Sequence, residues 1–166
     1  MSDDRLSAGA KRHTGVEISL AGEQDLAELL ALMRDYCDFY EVSPADEQLL
    51  ALSQALIDDP RREGMQLLAR DDRGAPLGFA TLYWSWSTSR AARLGTMNDL
   101  FVIAEARGLR VGERLIEACL ERCAEHGAEL MEWQTARTNT TAQALYDRVG
   151  GRREEWISYS LNVPRS

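Results

Sequence analysis

The segment LFVIAEARGLRVGERLI, from Leu100 to Ile116, decides the fold that we predict for this chain. Its apolar strand-like start, Leu100 to Ile103, leads through a short turn with two glycines into an amphipathic helix. A strand that enters a helix through such a turn can present backbone N–H groups to an anion. Arg107, Arg110 and Arg114 add positive charge to a chain of formal net charge −8. The segment therefore predicts a site for a small anionic ligand and not a surface for nucleic acid.

Length and composition predict one soluble globular domain. The chain has 166 residues, of which 45% are hydrophobic and 28% are charged, as is usual for such a domain. No apolar run approaches the roughly 20 residues that cross a bilayer, and no signal-like segment begins the sequence. We expect a flexible tail over 1–15, a single domain over 16–166, a cytoplasmic location, and neither nucleic acid nor membrane as a partner.

The few cysteines and histidines exclude several kinds of chemistry. Three cysteines without a Cys-x-x-Cys motif argue against a disulfide framework and against zinc. Cys119 and Cys123 lie one helical turn apart, and we expect them to be buried. The only histidines are His13 and His126, which argues against a Ser-His-Asp triad and against a histidine-bound metal. We predict no metal site.

Hydrophobic periodicity predicts the order β-α-α-β-β-β-α-β-α-β, a mixed α/β fold. Four helices are predicted: Glu23–Tyr40, a stretch from the Ser43-Pro44 cap to about Ile57, Leu109–His126, and a last helix after residue 139. Thr138, Asn139 and Thr140 cap this last helix, and Thr140 with Gln143 forms a capping box. The predicted strands are Val16–Leu20, Met65–Ala69, Leu77–Trp86, Thr96–Ile103, Leu130–Thr135 and a final alternating stretch with Ile157, Tyr159, Leu161 and Val163 inward.

The turn after the fourth strand resembles the pyrophosphate loop of the GNAT superfamily of N-acetyltransferases. The family pattern is Gln/Arg-x-x-Gly-x-Gly/Ala, usually with a glycine after the first arginine, and this chain matches it at Arg107, Gly108 and Gly112. It departs at Arg110, where the family most often has glycine. A side chain is tolerated there if φ is negative, so we expect Arg110 to keep a negative φ. Its side chain should then point away from the concave face of the loop, toward solvent or toward a phosphate of the coenzyme.

Two further patterns support the resemblance. After the next strand the family has Asn-x-x-Ala-x-x-x-Tyr and then Gly, and this chain has Asn139, Ala142, Tyr146 and Gly150 in that arrangement. The segment Asn98–Val102 also resembles the Glu-Asp-Leu-Phe/Tyr-Val of diamine and polyamine acetyltransferases and of the yeast histone/polyamine subgroup. Here asparagine replaces the glutamate that is that subgroup's proposed base.

The resemblance implies a GNAT-like, mostly antiparallel sheet flanked by helices, with acetyl-CoA as co-substrate. It implies direct acetyl transfer to a primary amine of a cationic, polyamine-like small molecule or of a peptide. By the resemblance, Tyr146 would protonate the departing thiolate. Asp99 and Glu132 are strand carboxylates near the predicted cleft, and either could be the base or a solvated or structural carboxylate; we choose Asp99 as the catalytic one. The implied coenzyme contacts are Leu100, Phe101, Val102, Arg107, Gly108, Leu109, Arg110, Val111, Gly112, Asn139 and Tyr146.

Several of these residues could instead have purely structural roles. Tyr146 could serve core packing alone, and Asn139 could only cap its helix. Strand alternation places Tyr83 on one sheet face and Trp84 and Trp86 on the other, so at most one of the two groups lines the acceptor pocket. The aromatic end of the first helix, with Tyr36, Phe39 and Tyr40, could line that pocket or pack in the core.

Two other functions compete with acetyl transfer. A non-catalytic acyl-CoA-binding or sensing domain on the same fold is the main alternative, because fold does not fix function and Asn98 lacks the carboxylate of the subgroup. A dinucleotide-binding oxidoreductase is disfavoured, since the turn lacks Gly-x-Gly-x-x-Gly and a hairpin precedes it in place of repeated βαβ units. A homodimer is compatible with the sequence. The sequence does not identify the acceptor.

Overall fold

The computed structural model describes residues 15–164, which form two compact units, 15–134 and 135–164. The expected tail over 1–15 thus lies outside the described residues, apart from Gly15. The first unit contains, in order, β1 (Glu17–Leu20), α1 (Leu26–Phe39), α2 (Asp46–Asp58), β2 (Gly64–Arg70), β3 (Pro76–Ser87), β4 (Ala92–Val102), α3 (Val111–Glu125) and β5 (Ala128–Glu132). The second unit contains α4 (Thr140–Arg148).

The five strands form one sheet in the order β1-β2-β3-β4-β5. Neighbours from β1 to β4 are antiparallel, whereas β4 and β5 are parallel. A parallel neighbour needs a crossover connection, and α3 provides it. The predicted mixed, mostly antiparallel sheet flanked by helices is confirmed, and the GNAT-like order holds through β5.

Helices cover both faces of the sheet. On one face, Leu29 and Met33 of α1 pack with Leu68 and Phe79 of the sheet in a buried cluster. On the other face α3 lies so close to β4 that a Cβ at Gly95 would clash with the Cys123 Sγ. Cys119 and Cys123 are buried and unpaired, as predicted.

The predicted final strand is wrong. The residues after α4 form no helix or strand up to residue 164. The four apolar side chains expected to point inward are 73–97% exposed, namely Ile157, Tyr159, Leu161 and Val163. Alternation shows only that a segment could present one apolar face; a strand also needs a partner edge to supply its ladder hydrogen bonds.

One predicted helix cap is wrong, and a second is confirmed only in part. The second helix begins at Asp46 after Ala45, whose N–H donates to the Gln48 Oε1 at 3.1 Å, so Ser43 and Pro44 precede it. In the last helix Asn139 is the cap, and its Oδ1 accepts from the Ala142 N–H at 3.1 Å.

The supposed capping-box partner, Gln143, instead donates to the carbonyls of Ala136 and Arg137. The carbonyls that precede the helix offer this amide an alternative to the cap. Strand ends differ from the predictions by a few residues, most clearly for β5, which ends at Glu132 and not at Thr135. Within residues 15–164 no helix is long and apolar enough to cross a membrane.

Candidate active site

A β-bulge sets the direction of side chains at the end of β4. Leu82 pairs with Met97 and Thr81 pairs with Asp99, so Asn98 has no partner across β3. In a regular ladder Asn98 would stand opposite Thr81, since successive side chains alternate between faces. The extra residue instead places Asp99 there, on the sheet face that α1 covers. The replacement of a glutamate by Asn98 therefore leaves a carboxylate directed at this face.

The same region of β4 loses its other neighbour. β5 pairs with β4 only from Arg93 to Thr96, although β4 continues to Val102. Beyond Thr96, no strand among residues 15–164 pairs with this edge of β4. An edge without a strand partner leaves backbone N–H and C=O groups available to a ligand. Leu100, Phe101 and Val102, which were predicted to contact the coenzyme, lie on this open edge.

Asp99 faces an aromatic cluster that joins three elements. The hydroxyls of Tyr36 on α1 and Tyr83 on β3 both lie within the electrostatic influence of its carboxylate. The Tyr36 ring lies 6.3 Å from the Phe101 ring and 5.0 Å from the Tyr40 ring, both edge to face. We call Tyr36, Tyr40, Tyr83, Asp99 and Phe101 the Asp99 cluster.

Buried polar contacts hold the sheet beneath this cluster. The Thr81 side chain is fully buried and pairs across the ladder with Asp99. Its Oγ1 accepts a hydrogen bond of 3.2 Å from the amide of Gln66, which is also buried. A buried side chain that is hydrogen-bonded in this way has few alternative positions. The strand position of Asp99 is therefore set by the core and not by solvent.

Burial and the charge of Asp99 both keep the two tyrosines protonated. Burial raises the pKa of the Tyr36 hydroxyl, and Asp99 raises it further by its charge and as a hydrogen-bond acceptor. Burial, followed by the Asp99 charge, raises the pKa of Tyr83 to about 12. The cluster thus combines one carboxylate acceptor with two neutral hydroxyl donors. Such a set can hold a cationic amine and receive its proton.

The tryptophans of β3 belong to a different region. The Trp84 ring stacks on His126 with centroids 3.8 Å apart, and its Nε1 donates to the Pro60 carbonyl at 2.8 Å. Trp86 is 67% exposed, and the Arg93 guanidinium lies 5.0 Å from its ring centroid. Of the two groups left open by alternation, Tyr83 is the one near Asp99.

The loop between β4 and α3 contains the main error in the site prediction. Arg110 has φ 63° and ψ 15°, a left-handed conformation, whereas we expected a negative φ. Gly108, two residues earlier, has φ 80°. A left-handed conformation costs an L-residue about 1–2 kcal/mol, which explains the family's preference for glycine at position 110. The loop of this chain therefore has a left-handed residue at position 110 although an arginine is strained in that conformation.

A contact with Glu113 offsets part of that cost. The Arg110 Nε donates to the Glu113 Oε2 at 2.5 Å. The Arg110 side chain is 76% exposed, as expected for a side chain directed away from the loop, whereas the Glu113 side chain is only 7% exposed. This hydrogen bond raises the pKa of Arg110.

Each of the three arginines has a hydrogen-bond partner within the chain. Besides the pairing of Arg110 with Glu113, the Arg107 Nε donates to the Val102 carbonyl at 3.3 Å. The Arg114 Nη2 donates to the Val16 carbonyl at 3.0 Å and so connects α3 to the start of β1. Arg114 therefore has a structural role that the spacing of charges did not indicate.

Backbone N–H groups at the start of α3 suit a diphosphate. The Arg114 N–H donates to the Arg110 carbonyl at 3.1 Å and closes the first helical turn. The N–H groups of Val111 and Gly112 precede it and have no carbonyl within the helix to bind. Together with the partial positive charge of the helix N-terminus, they form a fitting cradle for an anion.

The second unit carries the other predicted site residues. Asn139 caps α4, as the sequence predicted, and a cap can still contact a ligand. Tyr146 lies on α4 and is partly buried. Gly150, with φ 85°, ends the helix, and the Gly151 N–H returns to the Tyr146 carbonyl at 2.8 Å. The helical pattern from Asn139 to Gly150 is thus present as predicted.

Two remaining expectations concern acids and metals. Glu132, the alternative base, is exposed near the end of β5, opposite Thr96. Within residues 15–164, no group of three or more His, Cys, Asp or Glu side chains is placed to hold a metal ion.

Comparison with known proteins assigns this fold and site to a family. The acetyltransferase (GNAT) family pattern matches residues 29–151. The chain therefore belongs to the GNAT family, and it is an N-acetyltransferase. An uncharacterized N-acetyltransferase of Bacillus subtilis (strain 168), YhfO, is 30% identical over 150 residues, which are 90% of this chain and 99% of that protein. Such relatives do not favour the non-catalytic alternative.

Two further proteins show the range of the family. The L-methionine sulfoximine/L-methionine sulfone acetyltransferase of Pseudomonas aeruginosa is 30% identical over 135 residues, 78% of this chain and 76% of that protein. The aminoglycoside N-acetyltransferase AAC(6')-Iy, solved in complex with CoA, superposes with a TM-score of 0.78 over 92% of this chain and 97% of that one. At 19% identity, the second comparison supports the fold.

Proposed function

We propose that this protein transfers an acetyl group from acetyl-CoA directly to the primary amine of a small cationic molecule, with peptide amines as the wider class. The observation that carries this proposal is the Asp99 cluster beside the open edge of β4. A carboxylate among aromatic rings suits an alkylammonium, which binds to both. The net charge of −8 also favours a cationic acceptor.

Coenzyme binding in this proposal uses the loop and the strand edge. When bound, acetyl-CoA supplies the thioester whose acetyl group is transferred. The N–H groups of Val111 and Gly112 bind its diphosphate, and an N–H on the open edge of β4 polarises the thioester carbonyl. The remaining contacts are proposed from the family pattern: Leu100, Phe101, Val102, Arg107, Gly108, Leu109, Arg110, Asn139 and Tyr146.

Asp99 has the role of amine binder and proton acceptor. An alkylammonium with a pKa near 10.4 is about 0.04% neutral at pH 7, so the site must remove a proton. Asp99 holds the ammonium and accepts its proton, which frees the nitrogen lone pair to attack the thioester carbonyl carbon. After the C–N bond has formed, the nitrogen loses its second proton to solvent. Tyr36 and Tyr83 stay protonated and position the carboxylate.

Tyr146 completes the proton balance by protonating the thiolate that leaves as the C–S bond breaks. This role rests on its place in the pattern with Asn139 and Ala142, and the partial burial of the residue is compatible with it. In the proposal, residues 16–166 act as one catalytic domain. Three buried unpaired thiols support a cytoplasmic location, since a reducing compartment keeps thiols unpaired.

The acceptor can be narrowed by experiment. We expect CoA to bind in calorimetry and to raise the melting temperature. Thiol release from acetyl-CoA should then be measured with a polyamine, L-methionine sulfoximine, an aminoglycoside and a peptide with a free N-terminus. We expect the polyamine to be the fastest. Faster turnover of the amino acid would overturn the cationic preference, and CoA binding without thiol release would favour a sensing domain.

A further inference from the structure

The pair formed by Arg110 and Glu113 lies where the loop Arg107–Gly112, which we call the coenzyme loop, joins α3. Arg110 is the residue just before α3, and Glu113 is in the first turn of that helix. The carboxylate is nearly buried, whereas the guanidinium that bonds to it at 2.5 Å is largely exposed. A nearly buried anion and a solvent-facing cation thus share the place where a diphosphate is expected.

Glu113 presents an electrostatic problem for that ligand. A helix N-terminus attracts negative charge, and Glu113 already supplies one negative charge there. A diphosphate would add further negative charge nearby, and like charges repel each other. The hydrogen bond from Arg110 neutralises this carboxylate and leaves the N–H groups of Val111 and Gly112 for the ligand.

We propose that Arg110 is a positioning residue for coenzyme binding, which compensates the charge of Glu113 so that the first turn of α3 can accept a diphosphate. This inference rests on the proposed coenzyme site. In this chain the pair replaces a glycine: the backbone keeps the left-handed conformation that glycine adopts freely, and the side chain adds a charge that glycine lacks. Arg110 and Glu113 are therefore expected to act together.

The charge can be separated from the backbone by two substitutions. R110G keeps the left-handed backbone without strain and removes the cation. R110A removes the cation but keeps the strain, because alanine is disfavoured at φ 63°. If charge compensation is the role of Arg110, both variants lose coenzyme affinity. If only the backbone matters, R110A loses affinity and R110G does not.

A double-mutant cycle measured by calorimetry with CoA tests the pair. We expect R110G to bind CoA about tenfold more weakly than the wild type, the effect of losing one charged hydrogen-bonding group. E113Q should bind at least as tightly as the wild type. In R110G/E113Q, removal of the arginine should cost less than about threefold relative to E113Q, since the carboxylate to be compensated is gone.

Salt dependence gives a readout that a purely structural role would not move. We expect the deficit of R110G to shrink at high salt, because exposed charges are screened, while the melting temperatures show that each variant is folded. Equal losses for R110G with and without E113Q, or wild-type affinity in R110G, would overturn the inference while leaving the coenzyme site intact. Absence of CoA binding to the wild type would refute the proposed function itself.

Discussion

The coenzyme loop and the Asp99 cluster are both reached from β4, but they are built in different ways. The loop consists of consecutive residues, Arg107 to Gly112, and the groups that we propose to bind the coenzyme are backbone N–H groups at its junction with α3. The cluster takes Tyr36 from α1, Tyr83 from β3 and Asp99 from β4. The loop is therefore local and depends on dihedral angles, whereas the cluster depends on the packing of a helix on the sheet.

This difference separates what each region contributes to the reaction. A backbone cradle binds the constant part of a substrate pair, the diphosphate of the coenzyme. Side chains drawn from several elements can change one at a time, and so they suit the variable part, the acceptor. Substitutions in the loop should change coenzyme affinity, while substitutions in the cluster should change turnover and acceptor choice. The predictions below test that separation.

The largest effect is expected from G112D. A carboxylate in the first turn of α3 would face the coenzyme diphosphate, and juxtaposed like charges cost several kcal/mol. We expect CoA binding in calorimetry to weaken by more than about 100-fold. G112N is the isosteric control without the charge, and it should bind more tightly than G112D. Equal CoA affinity in the two variants would show that bulk, and not charge, matters at this position.

D99N tests the opposite side of the comparison. Loss of the proton acceptor should lower kcat by about 10²–10⁴-fold, the usual range for general base catalysis. The affinity for CoA, measured by calorimetry, should stay within about twofold of the wild type because the loop is unchanged. E132Q makes the same chemical change at the exposed carboxylate of β5 and is the matched control. A larger loss of kcat in E132Q than in D99N would assign the base to Glu132.

Y146F examines the second unit. The ring and its packing are kept, but the proton for the thiolate is removed, so kcat should fall at least about tenfold. The loss is expected near the low end of the range because a thiol with a pKa near 8.5 leaves readily without help. Y159F removes a hydroxyl that is almost fully exposed and should have no effect. An unchanged kcat in Y146F would leave this tyrosine a packing role.

The smallest effect is expected at the far end of α3, away from both regions. Burial, with the nearby Arg93 and Arg61, lowers the pKa of His126. In the unfolded chain His126 thus binds a proton near pH 6.5, whereas in the folded chain it binds the proton only at a lower pH. Stability from this group should be complete above that pH and should decline as the pH falls toward the lowered pKa.

The loss should be at most about 1 kcal/mol, the worth of one hydrogen bond, here the contact between His126 and Arg93. Urea unfolding at pH 7.5 and 5.5 measures it, and H126Q should flatten this part of the pH profile. A pH profile that H126Q does not change would assign the titration to other groups. We expect H126Q to leave the affinity for CoA unchanged, because His126 lies at the opposite end of α3 from the proposed coenzyme site.

The sequence predicted the local features and missed the long-range ones. Helical periodicity and the turn with Gly108 located α3 and its loop, because both signals lie within a few residues. The contact of Tyr36 with Asp99 could not be derived, since it depends on how α1 crosses the sheet; the tyrosine was recognised only as a possible pocket residue. The bulge at Asn98 gave no sequence signal of its own.

Where the prediction failed, the presence or absence of an interaction partner decided the outcome. Arg110 adopts a glycine conformation because its contact with Glu113 offsets strain. The second helix begins after Ala45 because Gln48 caps it, while the carbonyl of Pro44 binds the Arg34 guanidinium. The stretch around Ile157 alternates correctly but forms no ladder within the described residues. Patterns of residue type carry no information about such partners.

The bulge at Asn98 makes the acceptor side of this protein sensitive to chain length as well as to residue identity. A chain lacking that one residue would pair Thr81 with Asp99 in a regular ladder, so the carboxylate would still face α1. It would lack the local bend that a bulge introduces, and β4 could then continue beside β5 past Thr96. Loss of a single residue here would thus change the course of the backbone at the end of β4 while the carboxylate stays on the same face.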